Sequence, residues 1–153
     1  MDLILWRHAE AVAEREDLPD LERPLTTKGE RQAARMAEWL NHRIAHSTRV
    51  LVSPARRCQQ TAKALGRHFK TLDLLAPDGH GEALLKAVRW PDANEPVMVV
   101  GHQPTLGLVA SHLLGEHPQP WAIRKGAVWW LRSRDREGSA QVVLHAVIGP
   151  DLL

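Results

Sequence analysis

The sequence predicts an α/β fold: three αβα layers around a mostly parallel central sheet that closes with an antiparallel C-terminal hairpin. Two observations lead there. Short apolar runs of strand length, Leu3–Trp6, Arg49–Val52 and Pro96–Val100, alternate with stretches whose apolar residues recur at helical intervals. Two β-rich runs, Ala127–Leu131 and Gln141–Ile148, then follow with only Asp135–Ser139 as a turn between them. Residues 1–153 read as one domain of ordinary size.

Composition narrows the function classes. With 20 basic and 18 acidic side chains the formal charge is +2, too even to argue for nucleic acid. Cys58 is the single cysteine, so no internal disulfide framework exists. No apolar run approaches the ~20 residues needed to span a bilayer. Met1-Asp2-Leu3 lacks the charged and apolar regions of a secretory leader, so a cytoplasmic protein is expected, with no membrane partner.

The elements justify themselves in order. Leu3–Trp6 is continuously apolar, as in a strand covered on both faces, and it ends in Arg7-His8. Ala11–Pro24 is polar, carries Pro19 and Pro24, and reads as a surface connection lining the end of that strand. Thr27-Lys28-Gly29-Glu30 has capping-box spacing, and Ala33, Met36, Ala37, Leu40 and Ile44 continue a helix from Lys28 to about Ile44. Ser53-Pro54 follows the second strand and reads as N-cap and first residue of a helix reaching about Phe69. That start carries Arg56 and Arg57, an arrangement suited to an anion.

Leu72–Leu75 is expected to be a third strand and Gly79 to about Trp90 a helix. Gly79-His80-Gly81 has Leu84 where a dinucleotide loop needs a small residue, which rejects that reading. The fourth strand ends in Gly101-His102-Gln103-Pro104, and a helix from Pro104 to about Leu114 stops at Gly115. In the final hairpin one of Trp129 and Trp130 should face the core, because adjacent strand residues point to opposite sides. The remaining histidines show no metal-ligand spacing.

Three strand ends thus deliver Arg7-His8, Arg57 and His102. If those strands are parallel, the residues share one sheet edge, where open α/β folds bind ligands. Paired guanidinium groups match phosphate oxygens in fork geometry. Cysteine-based phosphate chemistry is excluded, since Ala64 stands where an arginine would close a loop begun at Cys58.

Four motifs in order, Arg7-His8-Ala9-Glu10, Arg23-Pro24-Leu25-Thr26-Thr27-Lys28-Gly29, Ser53-Pro54-Ala55-Arg56-Arg57-Cys58-Gln59-Gln60-Thr61 and Val100-Gly101-His102-Gln103-Pro104, resemble those of the histidine phosphatase superfamily. Size and pattern are similar to its SixA-type phosphohistidine phosphatase branch, with a phosphoglycerate mutase-like fold. The resemblance implies His8 as nucleophile and Arg7, Arg57 and His102 as phosphate-binding partners, with Glu10 and Arg56 as further candidates. It implies no cofactor and no metal. Ala9 departs from the superfamily's usual Arg-His-Gly by one methyl group.

A second departure bears on substrate. Many members carry a glutamate after the third strand that protonates a leaving alkoxide. Leu74–Asp78 holds no clear counterpart, leaving Asp78 and Glu82 as candidate donors. An alkoxide needs that proton, whereas imidazole, whose conjugate acid has a pKa near 6.5, leaves more easily. The expected activity is removal of phosphate from phosphohistidine on a protein, such as a phosphotransfer domain or phosphocarrier. The alternatives are a phosphomonoesterase for a small metabolite and a non-catalytic phosphohistidine-binding module.

Overall fold

The two faces of the first strand decide the architecture. The computed structural model describes residues 1–153, apart from the side chain of Arg136. Leu3 and Leu5 of β1 (Asp2–Arg7) pack into one apolar cluster, Ile4 and Trp6 into another. That alternation is the pleat of a strand buried on both sides. The first cluster includes Leu84 and Val88 of α3 (Gly81–Val88) and Leu106 and Val109 of α4 (Thr105–Leu114). The second includes Met36 and Leu40 of α1 (Thr27–Asn41) with Cys58 and Ala62 of α2 (Arg56–Lys63). Helices therefore cover both faces, as the sequence predicts.

The six-stranded sheet has the order β3-β2-β4-β1-β5-β6, with β2 at Arg49–Val52, β3 at Lys70–Thr71 and β4 at Val97–Gly101. These pair in parallel with one another and with β1. The hairpin of β5 (Val128–Arg136) and β6 (Ser139–Ile148) adds the antiparallel edge. Its turn is Glu137-Gly138, both at positive φ (54° and 78°), the geometry that matches strand twist in two-residue loops. Trp130 is the buried member of the tryptophan pair; Trp129 is half-buried, 6.0 Å from Trp121 between ring centres.

Several boundaries differ from expectation; α1 ends at Asn41, and the hairpin strands run into the expected Asp135–Ser139 turn. The N-cap of α1 is Thr26, whose hydroxyl accepts from Gly29 N at 2.9 Å, because Thr26 also donates to Glu10 at 2.7 Å and so fixes the helix start from outside. α2 begins at Arg56 and ends at Lys63; the Ser53 hydroxyl is turned toward His102 and does not cap it. Leu72–Leu75 is no strand: β3 is the polar pair before it, and Asp73–Leu75 forms a 3-10 turn that buries Leu75. α3 covers only Gly81–Val88, closed by Arg89 in a left-handed conformation. Among the described residues no helix is long and apolar enough to cross a membrane.

Candidate active site

Sheet register builds the site. Arg7 of β1 pairs with Gly101 of β4, so the next residues, His8 and His102, emerge side by side. Their ring centres are 5.3 Å apart. Val52 of β2 pairs with Val100, which places Ser53 beside the same edge. Arg57, in the first turn of α2, reaches back to it. Arg7, His8, Arg57 and His102 line one open pocket of about 570 Å³ together with Asp20, Arg23 and Asp78.

Each ring is oriented by a specific contact. Nδ1 of His8 lies 2.8 Å from its neighbour's carbonyl, Ala9 O, and donates to it, which leaves the lone pair on Nε2. Nδ1 of His102 accepts from Arg57 Nη2 at 3.4 Å, so its Nε2 carries the proton and donates to Ser53 Oγ at 2.7 Å. The Cys58 thiol abuts the same Nε2 at 3.4 Å. Burial pushes that thiol up to about 12, so it is neutral and serves as packing.

Burial is also the main force on the histidines. It lowers His8 to about 4, assisted by the cations Arg57, Arg7 and Arg23 and opposed by the bond to Ala9. It lowers His102 to about 3, with His8 and Arg57 adding to the effect and Asp20 opposing it. Both rings are therefore neutral near pH 7, as a nitrogen nucleophile requires.

The arginines are held just as firmly. Arg7 Nη1 donates to Ile123 O at 2.8 Å. Arg57, buried to 3% exposure, donates to the main-chain oxygen of Asp20 at 2.8 Å and pairs with its carboxylate at 3.2 Å. Asp20 pairs in turn with Arg23 at 3.0 Å, so the Ala11–Pro24 connection is tied across the pocket mouth. Thr61 Oγ1 donates to Arg57 O at 2.7 Å and accepts from Ala9 N at 3.1 Å, locking α2 to the loop after His8. The extra methyl of Ala9 is fully buried in a small apolar cluster with Leu25 and Ala33.

The other sequence candidates separate. Asp78 lines the pocket; Glu82 lies instead in the first turn of α3, in a separate groove with Leu85 and His112. Helical geometry after Gly81 carries Glu82 away from His8. Arg56 is exposed at the start of α2 and does not line the pocket. Glu10 turns away as well, and its carboxylate accepts from Thr26. Ser53 and Cys58 lie within the third motif and Asp20 in the connection before α1, but sequence assigned none of them a place in the site, because each acts through a contact between distant segments.

A profile of the histidine phosphatase superfamily (branch 1) matches residues 3–79. Phosphohistidine phosphatase SixA of Escherichia coli is 34% identical over 128 residues, which are 77% of this chain and 78% of that protein. The chain belongs to the histidine phosphatase superfamily. Among solved structures, a SixA from Nakamurella multipartita, described as a putative phosphohistidine phosphatase, matches with TM-score 0.79 at 26% identity, covering 97% of this chain and 95% of that one. The protein histidine phosphatase SixA complexed with tungstate matches with TM-score 0.75 at 27% identity over 99% of both chains. This histidine phosphatase therefore has the phosphoglycerate mutase-like fold and the phosphatase activity, a hydrolysis, of its superfamily.

Proposed function

We propose that this phosphatase hydrolyses phosphohistidine on a partner protein, without a metal ion, through a covalent phospho-His8 intermediate. The observation that carries the proposal is the free Nε2 lone pair of a neutral His8, set beside two fixed guanidinium groups. Nε2 attacks phosphorus in line while Arg7, Arg57 and His102 bind the equatorial oxygens. The new N–P bond forms on His8 as the P–N bond of the substrate breaks. The substrate imidazole departs neutral when its other ring nitrogen is protonated. Water then attacks phospho-His8, releasing inorganic phosphate and restoring the free ring.

Arg7 and Arg57 bring the positive charge that metal ions supply in many phosphoryl-transfer sites, which supports a metal-independent reaction. Binding a phosphate dianion would favour a second proton on His102, so that its Nδ1 also donates to an oxygen. A pure binding module has no use for the Nε2 lone pair.

One observation favours the second reading, a phosphomonoesterase for a small metabolite: Asp78 lines the pocket and offers a proton donor for an alkoxide. Turnover of a phosphohistidine protein and of a sugar-phosphate panel, each with EDTA present, separates the two. The proposal expects faster cleavage of phosphohistidine, unaffected by chelation. Preference for sugar phosphates, with wild-type rates recovered only on adding a divalent ion, would overturn it.

A further inference from the structure

Lys28, Arg31 and Arg35 lie along one stripe of α1 and line an open groove with Arg124 and Lys125, which belong to the segment preceding β5. Asp151 is the one carboxylate lining that groove; it pairs with Arg124 at 3.3 Å, with both side chains more than half exposed. Among the described residues, Lys28, Arg31, Arg35 and Lys125 have no ion-pair partner. A chain whose net charge is only +2 thus gathers uncompensated cations on one face. Arg31 and Arg35 even stand at i,i+4, where like charges destabilise a helix. Folding alone gives no reason for that arrangement.

The groove also borders the catalytic loop. Gly126, next to Lys125, donates its N–H to His8 O at 2.9 Å, and Ile123 O holds Arg7. Gln32, which lines the groove, accepts from Glu10 N at 3.0 Å. The backbone around His8 therefore lies between the phosphate pocket and the basic groove. A Cβ at Gly126, whose φ is +75°, would also press on Pro150 at 3.1 Å, so glycine keeps this turn tight against the groove wall.

We propose that this groove docks an acidic surface of the phosphorylated protein and brings its phosphohistidine to His8. The inference rests on the phosphohistidine-protein reading above. Complementary charge of this kind accelerates encounter and fixes orientation, and its effect falls with ionic strength. A small substrate that enters the phosphate pocket directly gains nothing from it.

The test compares wild type with the double variant Arg31→Glu/Arg35→Glu on two substrates, N-phosphoimidazole and an acidic phosphotransfer protein phosphorylated on histidine. At low ionic strength kcat/KM on the phosphoprotein should fall about tenfold or more, and its dependence on salt should flatten. Turnover of N-phosphoimidazole should stay at the wild-type rate, which also shows the variant to be folded. Equal rates on the phosphoprotein, or parallel losses on both substrates, would overturn the docking proposal while leaving the activity intact. Retention of a DNA duplex by the groove with unchanged phosphoprotein kinetics would overturn it too. A wild-type enzyme that cleaves N-phosphoimidazole but no phosphoprotein would instead remove the underlying reading, and docking with it.

Discussion

The carboxylate of Asp20 occupies the guanidinium of Arg57 that the proposed reaction assigns to phosphate, at 3.2 Å, and the Asp20 main-chain oxygen takes a second donor at 2.8 Å. An anion of the protein thus sits at the anion site, fastened to a connection that crosses the pocket mouth. Incoming phosphate competes with it. The two contacts differ in consequence: the main-chain one positions Arg57 for any ligand, while the carboxylate opposes a second negative charge.

Replacing Asp20 with Asn should keep the main-chain contact and remove the opposing charge. Asp20 is 45% exposed, so relief of that repulsion is worth roughly 1 kcal/mol or less. Inhibition by inorganic phosphate should tighten about two- to fivefold. A phosphate titration at constant ionic strength measures it, and weaker inhibition would show that Asp20 acts mainly by holding Arg57.

Ser53 accepts the Nε2 proton of His102, the tautomer that Arg57 selects from the other side of the ring. Ser53→Ala leaves the buried Nε2–H without its oxygen partner, a loss of about 1–3 kcal/mol for a buried donor. The expected outcome is a fall in kcat of about tenfold or more. Ser53→Thr, which restores a hydroxyl, should recover part of it. Steady-state kinetics of the pair checks the assignment, since a merely structural defect would not be rescued.

The depressed histidines make stability depend on pH in a defined direction. Folded His8 titrates at about 4 and His102 at about 3, whereas both titrate near 6.5 when unfolded. Between those values the unfolded chain binds more protons, so stability is full above about pH 6.5 and declines as pH falls toward 4. His8 alone accounts for a loss on the order of 3 kcal/mol across that window. Urea unfolding from pH 7.5 to 4 should show the slope, and His8→Asn should flatten it.

The order of elements was legible because it rests on local patterns: continuous apolar strands, helical spacing, and a β-rich tail with a turn. Boundaries that depend on distant partners were not. Thr27 has the capping-box spacing to Glu30, yet Thr26 is the cap, because the carboxylate of Glu10 accepts from its hydroxyl. Leu72–Leu75 is apolar for a different reason than a strand, since Leu75 plugs the core from a 3-10 turn while the paired residues Lys70 and Thr71 are exposed. In the site, Arg7, His8 and His102 stood out because each follows a strand, whereas Arg57 was separated from Arg56, at the same helix start, only by resemblance to the family motif. Ser53, by contrast, has the spacing of a helix cap, and only the β2–β4 register turns its hydroxyl to His102. Asp20 lies in a connection without periodicity, where sequence carries no signal of its ion pair.

Phosphorylation of His8 itself tests the central claim most directly. Wild-type protein mixed with a phosphohistidine protein and quenched in alkali within milliseconds should carry one phosphoryl group, stable to alkali and lost in acid, and peptide mapping should place it on His8. His8→Ala should carry none and turn over nothing. A phosphoryl group on another residue, or turnover by His8→Ala, would contradict the account.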